Sequence, residues 1–188
     1  MHSRFIRLLD VLFALAGLTV GAPVLLVVFV VSGLDTGSPL FIQARVGKRK
    51  RNFMLVKFRT MRVGTASVPT HMVGASSMTR VGRFLRGTKL DELPQLWNVI
   101  KGEMSLVGPR PCLPTQAELI LEREKRGVYE FRPGITGLGQ LRGVDMSSPR
   151  VLAELDEAMI RQLTVGRYLQ YVCKTALGQG SGDPAARY

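Results

Sequence analysis

The sequence predicts an α/β protein that is mostly helical with a small sheet and that begins with a membrane helix. Three observations predict this fold class. Residues 11–34 carry no charged side chain, residues 53–61 alternate as a strand does, and apolar residues further along recur at helical spacing. The 188 residues are 46% hydrophobic yet have a net charge of +12, so apolar and basic residues occupy separate parts of the chain. The positive charge favours polyanionic partners: phosphorylated substrates, anionic lipids or nucleic acid.

The first predicted unit, residues 1–38, contains the uncharged run. As a continuous helix this run would extend roughly 36 Å, enough to cross a hydrocarbon core of about 30 Å. Pro23 lies near its middle, where the ring removes a helical hydrogen bond and bends the axis. Basic residues flank both ends, and positive flanks favour the cytosol. On these residues a kinked single span and a re-entrant hairpin broken at Pro23 are equally supported. Both place residues 40–188 in the cytosol, because the flank after the run is the more basic.

The second unit, residues 39–178, begins with extended structure and a turn from Pro39 to Phe58. Alternation places Lys57 and Arg59 on one strand face, as two parallel cationic side chains. That pair suits a phosphate group, although charges on a solvated edge strand are the commoner explanation. Residues 63–78 are small and polar and predict a flexible loop or lid, and residues 179–188 predict a disordered tail.

Helices follow in the rest of the second unit. Thr88 and Asp91 have the spacing of a capping box, which predicts a helix from near Lys89 to Gly102. A second capping box at residues 115–118 predicts a helix ending near residue 126. Residues 131–143 are rich in glycine and predict a turn and a strand. Ser148 and Pro149 predict the start of a last helix over about residues 150–177.

The acid pair Asp91–Glu92 lies among basic residues on both sides. An acid in a first helical turn is ordinary, because it satisfies free N–H groups. Surrounded by Arg and Lys, however, the carboxylate should stay ionised and could attack phosphorus. The second carboxylate could help to hold Mg²⁺. Side chains that could neutralise a diphosphate are Lys57, Arg59, Arg86 and Arg110.

Other phosphate and nucleophile motifs are missing from the sequence. It contains neither a Walker A loop nor a G-x-G-x-x-G fingerprint. His2 is at the terminus and His71 is in the predicted loop, so neither is expected to pair with a Ser or Cys nucleophile. The two cysteines, Cys112 and Cys173, predict no disulfide framework. A metal site built from His and Cys is therefore not expected.

The order of several motifs resembles the bacterial sugar transferase family. The motifs are RVGK (45–48), KFRTM (57–61), GRFLR (82–86), LDELPQLWNVIKGEMSLVGPRP (90–111) and RPGITGLGQLRG (132–143). The resemblance runs from the N-terminal segment to about residue 143 and is most specific over residues 82–111. These are monotopic phosphoglycosyl transferases, and the chain resembles their short form, the minimal catalytic unit. The C-terminal third departs from the family pattern, with Met159 where Tyr is usual, so no roles transfer to residues 150–177.

The resemblance implies a reaction and a set of site residues. Asp91 would attack the β-phosphate of a UDP-sugar, releasing UMP and leaving a phosphosugar on the enzyme, and polyprenyl (undecaprenyl) phosphate would then accept it. Glu92 matches the second acid, and Asp91 and Glu92 would bind the required Mg²⁺. The residues assigned to binding of the substrate phosphates are Lys57, Arg59, Arg86, Arg110 and Arg132. The membrane segment would be a re-entrant helix broken at Pro23, which now favours the hairpin.

The resemblance also implies a location and partners. A cytosolic catalytic domain with amphipathic helices would lie on the bacterial inner membrane, initiating glycoconjugate or exopolysaccharide assembly ahead of downstream glycosyltransferases, with no nucleic acid partner. Two alternatives remain: a non-catalytic basic domain tethered to the membrane that binds anionic lipid or nucleic acid, and a phosphatase with a carboxylate nucleophile.

Overall fold

A computed structural model of the chain describes residues 4–65 and 77–180, which contain seven α-helices and four strands. In chain order they are α1 (Arg4–Thr36), β1 (Leu40–Val46), β2 (Asn52–Phe58), α2 (Arg80–Gly87), α3 (Gln95–Lys101), β3 (Ser105–Val107), α4 (Ala117–Lys125), β4 (Gly134–Thr136), α5 (Leu138–Arg142), α6 (Pro149–Arg161) and α7 (Val165–Ala176). Short 3₁₀ turns cover Lys48–Lys50, Leu90–Glu92 and Val128–Glu130. The predicted mostly helical class with little sheet is confirmed.

Two small sheets underlie the helices. β1 and β2 pair antiparallel, with Phe41 opposite Lys57 and Arg45 opposite Phe53. β3 and β4 pair in parallel. Phe53 and Leu55 are buried and join the main core with residues of α1, α3, β3, α6 and α7. The predicted alternation on β2 is therefore confirmed, and it places Lys57 on the same face as these two core residues.

Helix α1 runs unbroken through Pro23 for 33 residues, and it is long and apolar enough to cross a membrane. The predicted break into a hairpin at Pro23 is thus not confirmed, because a helix can continue past a proline with the loss of one hydrogen bond. The helix contacts the rest of the protein near both ends. Ile6 and Ala14 join the main core, whereas Val28 packs with Phe58 and Leu85. Between these contacts, residues 22–24 are exposed.

The first half of α1 is fixed to the domain by Asp10. Its Oδ1 accepts hydrogen bonds from the Ser105 hydroxyl, the Leu106 backbone N–H and the Tyr168 hydroxyl, each at 2.9 Å. Asp10 is 1% exposed and Tyr168 is fully buried. A carboxylate is costly to bury unless it is bonded in this way, so this junction holds α1 against β3 and α7.

The helix predicted to begin near Lys89 begins at Gln95, because the capping box does not form. The hydroxyl of Thr88 donates backwards to the carbonyls of Phe84 and Leu85, so it completes α2 instead of opening α3. Lys89 then adopts a left-handed conformation with φ of 59°. The chain passes through a 3₁₀ turn before α3, and the predicted end at Gly102 is confirmed.

The predicted last helix is two helices. α6 begins with Pro149 at its first turn, as expected, but it ends at Arg161. Thr164 then caps α7 by accepting a hydrogen bond from the Arg167 backbone N–H, and this second cap signal explains the break. α4 ends near the predicted residue, although Gln116 and not Thr115 stands at its N-terminal cap.

Several sequence expectations fall on residues that the structure does not describe. These are His2, His71, most of the predicted loop (residues 66–76 of 63–78) and most of the predicted tail (residues 181–188). At the described ends of the loop, Met61 and Met78 form an antiparallel bridge.

Candidate active site

The acid pair lies in the 3₁₀ turn Leu90–Glu92, between α2 and α3. Lys89 precedes it in the left-handed conformation, which is uncommon for a residue with a side chain and reverses the chain direction here. As a result Asp91 points inward and is only 5% exposed, whereas Glu92 is half-buried. The acid pair therefore lies in a 3₁₀ turn that precedes α3 and not in the first turn of α3 itself, and this 3₁₀ turn orients the carboxylate.

Helix α2 brings Arg86 to the acid pair through an unusually close approach. A Cβ on Gly82 would stand 2.0 Å from the carbonyl oxygen of Thr60, so only glycine allows α2 to lie directly against the end of β2. Arg86, one turn later, is buried, and its Nε donates to the hydroxyl of Thr60 at 2.9 Å. The guanidinium is thereby fixed close enough to influence the charge of Asp91.

The charge state of Asp91 depends on opposing effects. Burial, together with the neighbouring Glu92, raises the pKa of Asp91 to about 6. The positive charges of Lys57, Arg86 and Arg110 lower it and prevent a larger rise. The carboxylate is consequently ionised at neutral pH but poorly hydrated, which is the condition in which a carboxylate reacts readily as a nucleophile.

Lys57 reaches the same place from β2. Its ammonium group lies 5.5 Å from the ring centroid of Phe41, the residue opposite it in the hairpin. Burial and, to a smaller extent, the positive charge of Arg86 lower the pKa of Lys57 to about 8, and the negative charge of Asp91 opposes this. The strand therefore places a cation beside Asp91 that is charged at neutral pH and lost in mildly alkaline solution.

Glu92 is paired with Arg110, whose Nη2 donates to Oε1 at 2.8 Å. Arg110 is 44% exposed in its side chain and follows β3 in a loop bounded by prolines. The loop is held by neighbouring elements: Gly134 N–H donates to the Pro109 carbonyl, and an Arg45 nitrogen donates to the Pro111 carbonyl at 3.1 Å. The structure thus brings together five predicted residues: Lys57, Arg86, Asp91, Glu92 and Arg110.

Arg45 belongs to this group and was not predicted as a site residue. Burial, then Arg110, lowers its pKa to about 10, while Cys112 and Glu92 oppose this. Its Nη2 donates to Gln43 at 2.6 Å. In the observed pairing of β1 with β2, Arg45, Gln43 and Phe41 fall on the face that carries Lys57. The alternation of residues along β1 was therefore the sequence signal for Arg45.

Arg59 and Arg132 have no described hydrogen bond to the acid pair. The guanidinium of Arg59 donates to the carbonyls of Ser38 and Leu40, so it joins the chain after α1 to the end of β2. The Nε of Arg132 donates to the carbonyl of Gly102 at 2.8 Å, at the C-terminal end of α3. The guanidinium carbon of Arg59 also lies 5.4 Å from the ring centroid of Phe41, which Lys57 faces as well, so Arg59 borders the site. The described contacts of Arg132 lie at the end of α3.

Two adjacent carboxylates suit one particular kind of metal site. Within residues 4–65 and 77–180, no group of three or more His, Cys, Asp or Glu side chains could enclose an ion. Mg²⁺, however, commonly binds one or two carboxylates and completes its shell with water and substrate phosphate. The donor set at Asp91 and Glu92 fits Mg²⁺ held jointly with a phosphorylated ligand, and it does not fit a closed structural metal site.

The geometry describes a protein with one helix that could cross a membrane and with a buried carboxylate among positive side chains. The family model for bacterial sugar transferase matches residues 1–179, so the chain belongs to this family. It is 38% identical over 181 residues to a UDP-glucose:undecaprenyl-phosphate glucose-1-phosphate transferase of Caulobacter vibrioides, covering 90% of this chain and 67% of that protein. A UDP-galactose-lipid carrier transferase of Erwinia amylovora is 34% identical over 194 residues, covering 92% and 40%.

A galactosyl transferase of Streptococcus agalactiae is 37% identical over 150 residues, covering 73% of this chain and 33% of that protein. The chain therefore spans from a third to two thirds of the length of these curated relatives. The names of all three describe transfer of a sugar, and two of them name a lipid carrier or a lipid phosphate.

Proposed function

We propose that the protein transfers a sugar phosphate from a UDP-sugar to polyprenyl phosphate, releasing UMP and forming a polyprenyl diphosphate sugar. The observation that carries the proposal is the buried Asp91 carboxylate surrounded by Lys57, Arg86 and Arg110. Family membership and the relatives' names support the same reaction class. We expect the product to begin the assembly of a membrane-linked glycan, which downstream glycosyltransferases would extend.

The reaction proceeds in two steps at Asp91. In the first, a carboxylate oxygen forms a bond to the β-phosphorus of the UDP-sugar, and the bond from that phosphorus to the bridging oxygen breaks. UMP departs with the bridging oxygen. In the second, an oxygen of polyprenyl phosphate forms a bond to the same phosphorus, the acyl-phosphate bond breaks, and the carboxylate is restored.

The cations have separate roles in these steps. Lys57 and Arg86, fixed by β2 and α2, would contact the oxygens of the transferred phosphate from inside the pocket. Arg110, on the open side, would contact the diphosphate and is held in place through Glu92. Bound by Asp91, Glu92 and the diphosphate, Mg²⁺ would offset the charge that accumulates on the phosphate oxygens. The protein groups need little rearrangement because they are already oriented.

We further propose that α1 enters and leaves the membrane on one face, the cytoplasmic face of the inner membrane. Support comes from the contacts of both its ends with one domain: Asp10 bonds to β3 and α7, and Val28 packs on Phe58 and Leu85. A straight span would separate these ends by the bilayer. The exposed apolar residues around Pro23 would form the deepest part, and the acid pair would lie near the lipid surface.

The decisive experiment measures UMP release by the purified protein in detergent with Mg²⁺ and polyprenyl phosphate. UDP-glucose, UDP-galactose and an N-acetylated UDP-hexosamine are compared, and the highest rate identifies the sugar. With the donor alone, intact-mass measurement should show an adduct of one phosphosugar, absent in Asp91→Asn.

Each alternative has its own outcome in this assay. Release of UMP and sugar 1-phosphate without need of the lipid would identify transfer to water by a phosphatase-like enzyme with a carboxylate nucleophile. Lipid or nucleic acid binding that is salt-sensitive and unaffected by Asp91→Asn, with no UMP formed, would identify a binding protein. UMP release that persists in Asp91→Asn would disprove the nucleophile assignment.

A further inference from the structure

A second buried charge pair lies behind the candidate active site, between α4 and α6. Nε and Nη2 of Arg123 both donate to Oδ2 of Asp156, at 2.9 and 2.7 Å. The two side chains are 2% and 0% exposed. This pair takes no part in the proposed chemistry, and its location among apolar residues requires a physical explanation.

The third nitrogen of the same guanidinium points to the active-site loop. Nη1 of Arg123 donates to the backbone carbonyl of Arg110 at 2.9 Å. The side chain of Arg110 in turn donates to Glu92, next to Asp91. Hydrogen bonds on the backbone and on the side chain of Arg110 therefore connect α6, through α4, to the acid pair.

Stability alone does not explain the pair. Burying two charges costs several kcal/mol per ion, and an apolar pair of similar volume often packs two helices as well or better. The pair is also incompletely satisfied, since Oδ1 of Asp156 has no hydrogen-bond partner among the described residues. What an apolar pair could not supply is a donor for the carbonyl of Arg110.

The flat, forked guanidinium is suited to this arrangement. Asp156 holds two of its nitrogens, which fixes the plane and direction of the third. A lysine could reach the carboxylate or the carbonyl with its single ammonium group, but it could not hold the same fixed plane. The prolines on either side of Arg110 restrict the backbone conformations of the loop further. One hydrogen bond to the Arg110 carbonyl can therefore fix the position of its Cα, from which the side chain extends.

We propose that Arg123, fixed by Asp156, is a positioning residue that sets the Arg110 backbone so that its side chain meets the diphosphate of the UDP-sugar. The proposal rests on the proposed function only in its choice of ligand for Arg110. Neither Arg123 nor Asp156 touches the substrate.

The test compares Arg123→Lys with Arg110→Gln in UMP release, using the UDP-sugar that gives the highest rate. We expect Arg123→Lys to raise the KM for the UDP-sugar roughly tenfold, as loss of an outer support typically does. The KM for polyprenyl phosphate should stay unchanged, because the loop would contact the nucleotide sugar. A general loss of structure would lower kcat for both substrates without this difference.

A matched control is available on the same two helices. Arg126 follows α4 and makes ion pairs with Glu154 and Glu157 of α6, at 3.4 and 3.7 Å, but it has no described contact with the loop. Arg126→Gln should therefore leave the KM for the UDP-sugar within twofold of the wild-type value. In the Arg110→Gln background, Arg123→Lys should add no further rise in KM, because both changes remove the same contact.

A second variant, which keeps the interface between α4 and α6 packed, distinguishes loss of positioning from misfolding. The double variant Arg123→Met with Asp156→Leu removes both charges, and we expect it to fold, by thermal unfolding in detergent, yet to show the same raised KM. A normal KM in either folded variant would overturn the positioning role, as would additive effects with Arg110→Gln. If Arg110→Gln itself has no effect, the proposed role of Arg110 fails, which is a separate result.

Discussion

Two buried aspartates, Asp10 and Asp91, lie in contrasting surroundings. Asp10 is 1% exposed and accepts three hydrogen bonds of 2.9 Å from groups of β3 and α7. Asp91 is 5% exposed and lies among three positive side chains and a second acid. Folding buries both carboxylates, but the groups that replace water around them differ: hydrogen-bond donors around Asp10 and charged side chains around Asp91.

This difference in partners indicates a structural role for Asp10 and a chemical role for Asp91. Neutral donors fixed by the fold bind one oxygen of Asp10, and Arg7 of the same helix lies 3.9 Å from the other oxygen. Asp10 therefore joins α1 to the domain. Three positive side chains surround Asp91, and an incoming phosphate can share them. Lys57 and Arg86 are held by β2 and α2, and Arg110 is half-exposed. We therefore expect changes at Asp91 to affect activity, and changes at Asp10 to affect stability.

Asp91→Asn should have the largest effect on activity. The amide is nearly isosteric but is not a nucleophile, so UMP release should fall by at least about 10³-fold. The thermal midpoint in detergent should not fall, because the fold loses no packing contact there. A variant that loses activity and unfolds at a much lower temperature would show that Asp91 is structural, like Asp10.

Asp10→Ala should have the largest effect on stability. It leaves the hydroxyls of Ser105 and Tyr168 and the N–H of Leu106 without their acceptor, at a cost of about 3 kcal/mol. The thermal midpoint should fall by several degrees. Asp10→Asn, which keeps one acceptor oxygen, is the control and should lose less. Below the midpoint both variants should keep the wild-type KM for the UDP-sugar, and a specific rise in that KM would give Asp10 a role at the site.

The sequence correctly predicted the part of the site that depends on the alternation of side chains along a β-strand. Residues two apart on β2 share a face, so Lys57 was correctly placed with Phe53 and Leu55. The same reasoning, applied to the partner strand, would have identified Arg45. The acid pair was recognised from its charged neighbours, although its conformation was not, because Thr88 could bond forward as a cap or backward into α2 and sequence spacing does not decide between these.

Side-chain direction outside regular strands was not predictable. The backbone of Arg132 lies against Gly108, close to the Arg110 loop, yet its side chain turns to the C-terminal end of α3. The Arg123–Asp156 pair joins residues 33 apart in sequence and was not anticipated for the same reason. The pairing of Arg123 with Asp156 depends on how α4 and α6 pack together, which the sequence does not predict.

The pH dependence of UMP release should reveal the mixed surroundings of Asp91. With its pKa raised to about 6, the reactive carboxylate is lost as the pH falls below that value. With the pKa of Lys57 lowered to about 8, the cation is lost as the pH rises above that value. We expect kcat/KM to form a bell with limbs near pH 6 and 8, falling about tenfold per unit outside them. Lys57→Arg should remove the alkaline limb, because arginine stays charged, and an alkaline limb that survives this change would belong to another group.

Arg132→Gln should have the smallest effect and tests whether a cation matters by its placement or by its charge alone. Its described hydrogen bond goes to the Gly102 carbonyl, and it lies near Arg7 and not in the pocket. We expect the KM for the UDP-sugar to change less than about twofold, whereas Arg110→Gln, with the same loss of charge, should raise it by about tenfold or more. Equal effects would mean that the nucleotide sugar is drawn in by the overall positive charge of the protein. Repeating both measurements at high salt distinguishes the two cases, because a long-range attraction is screened while a direct contact persists.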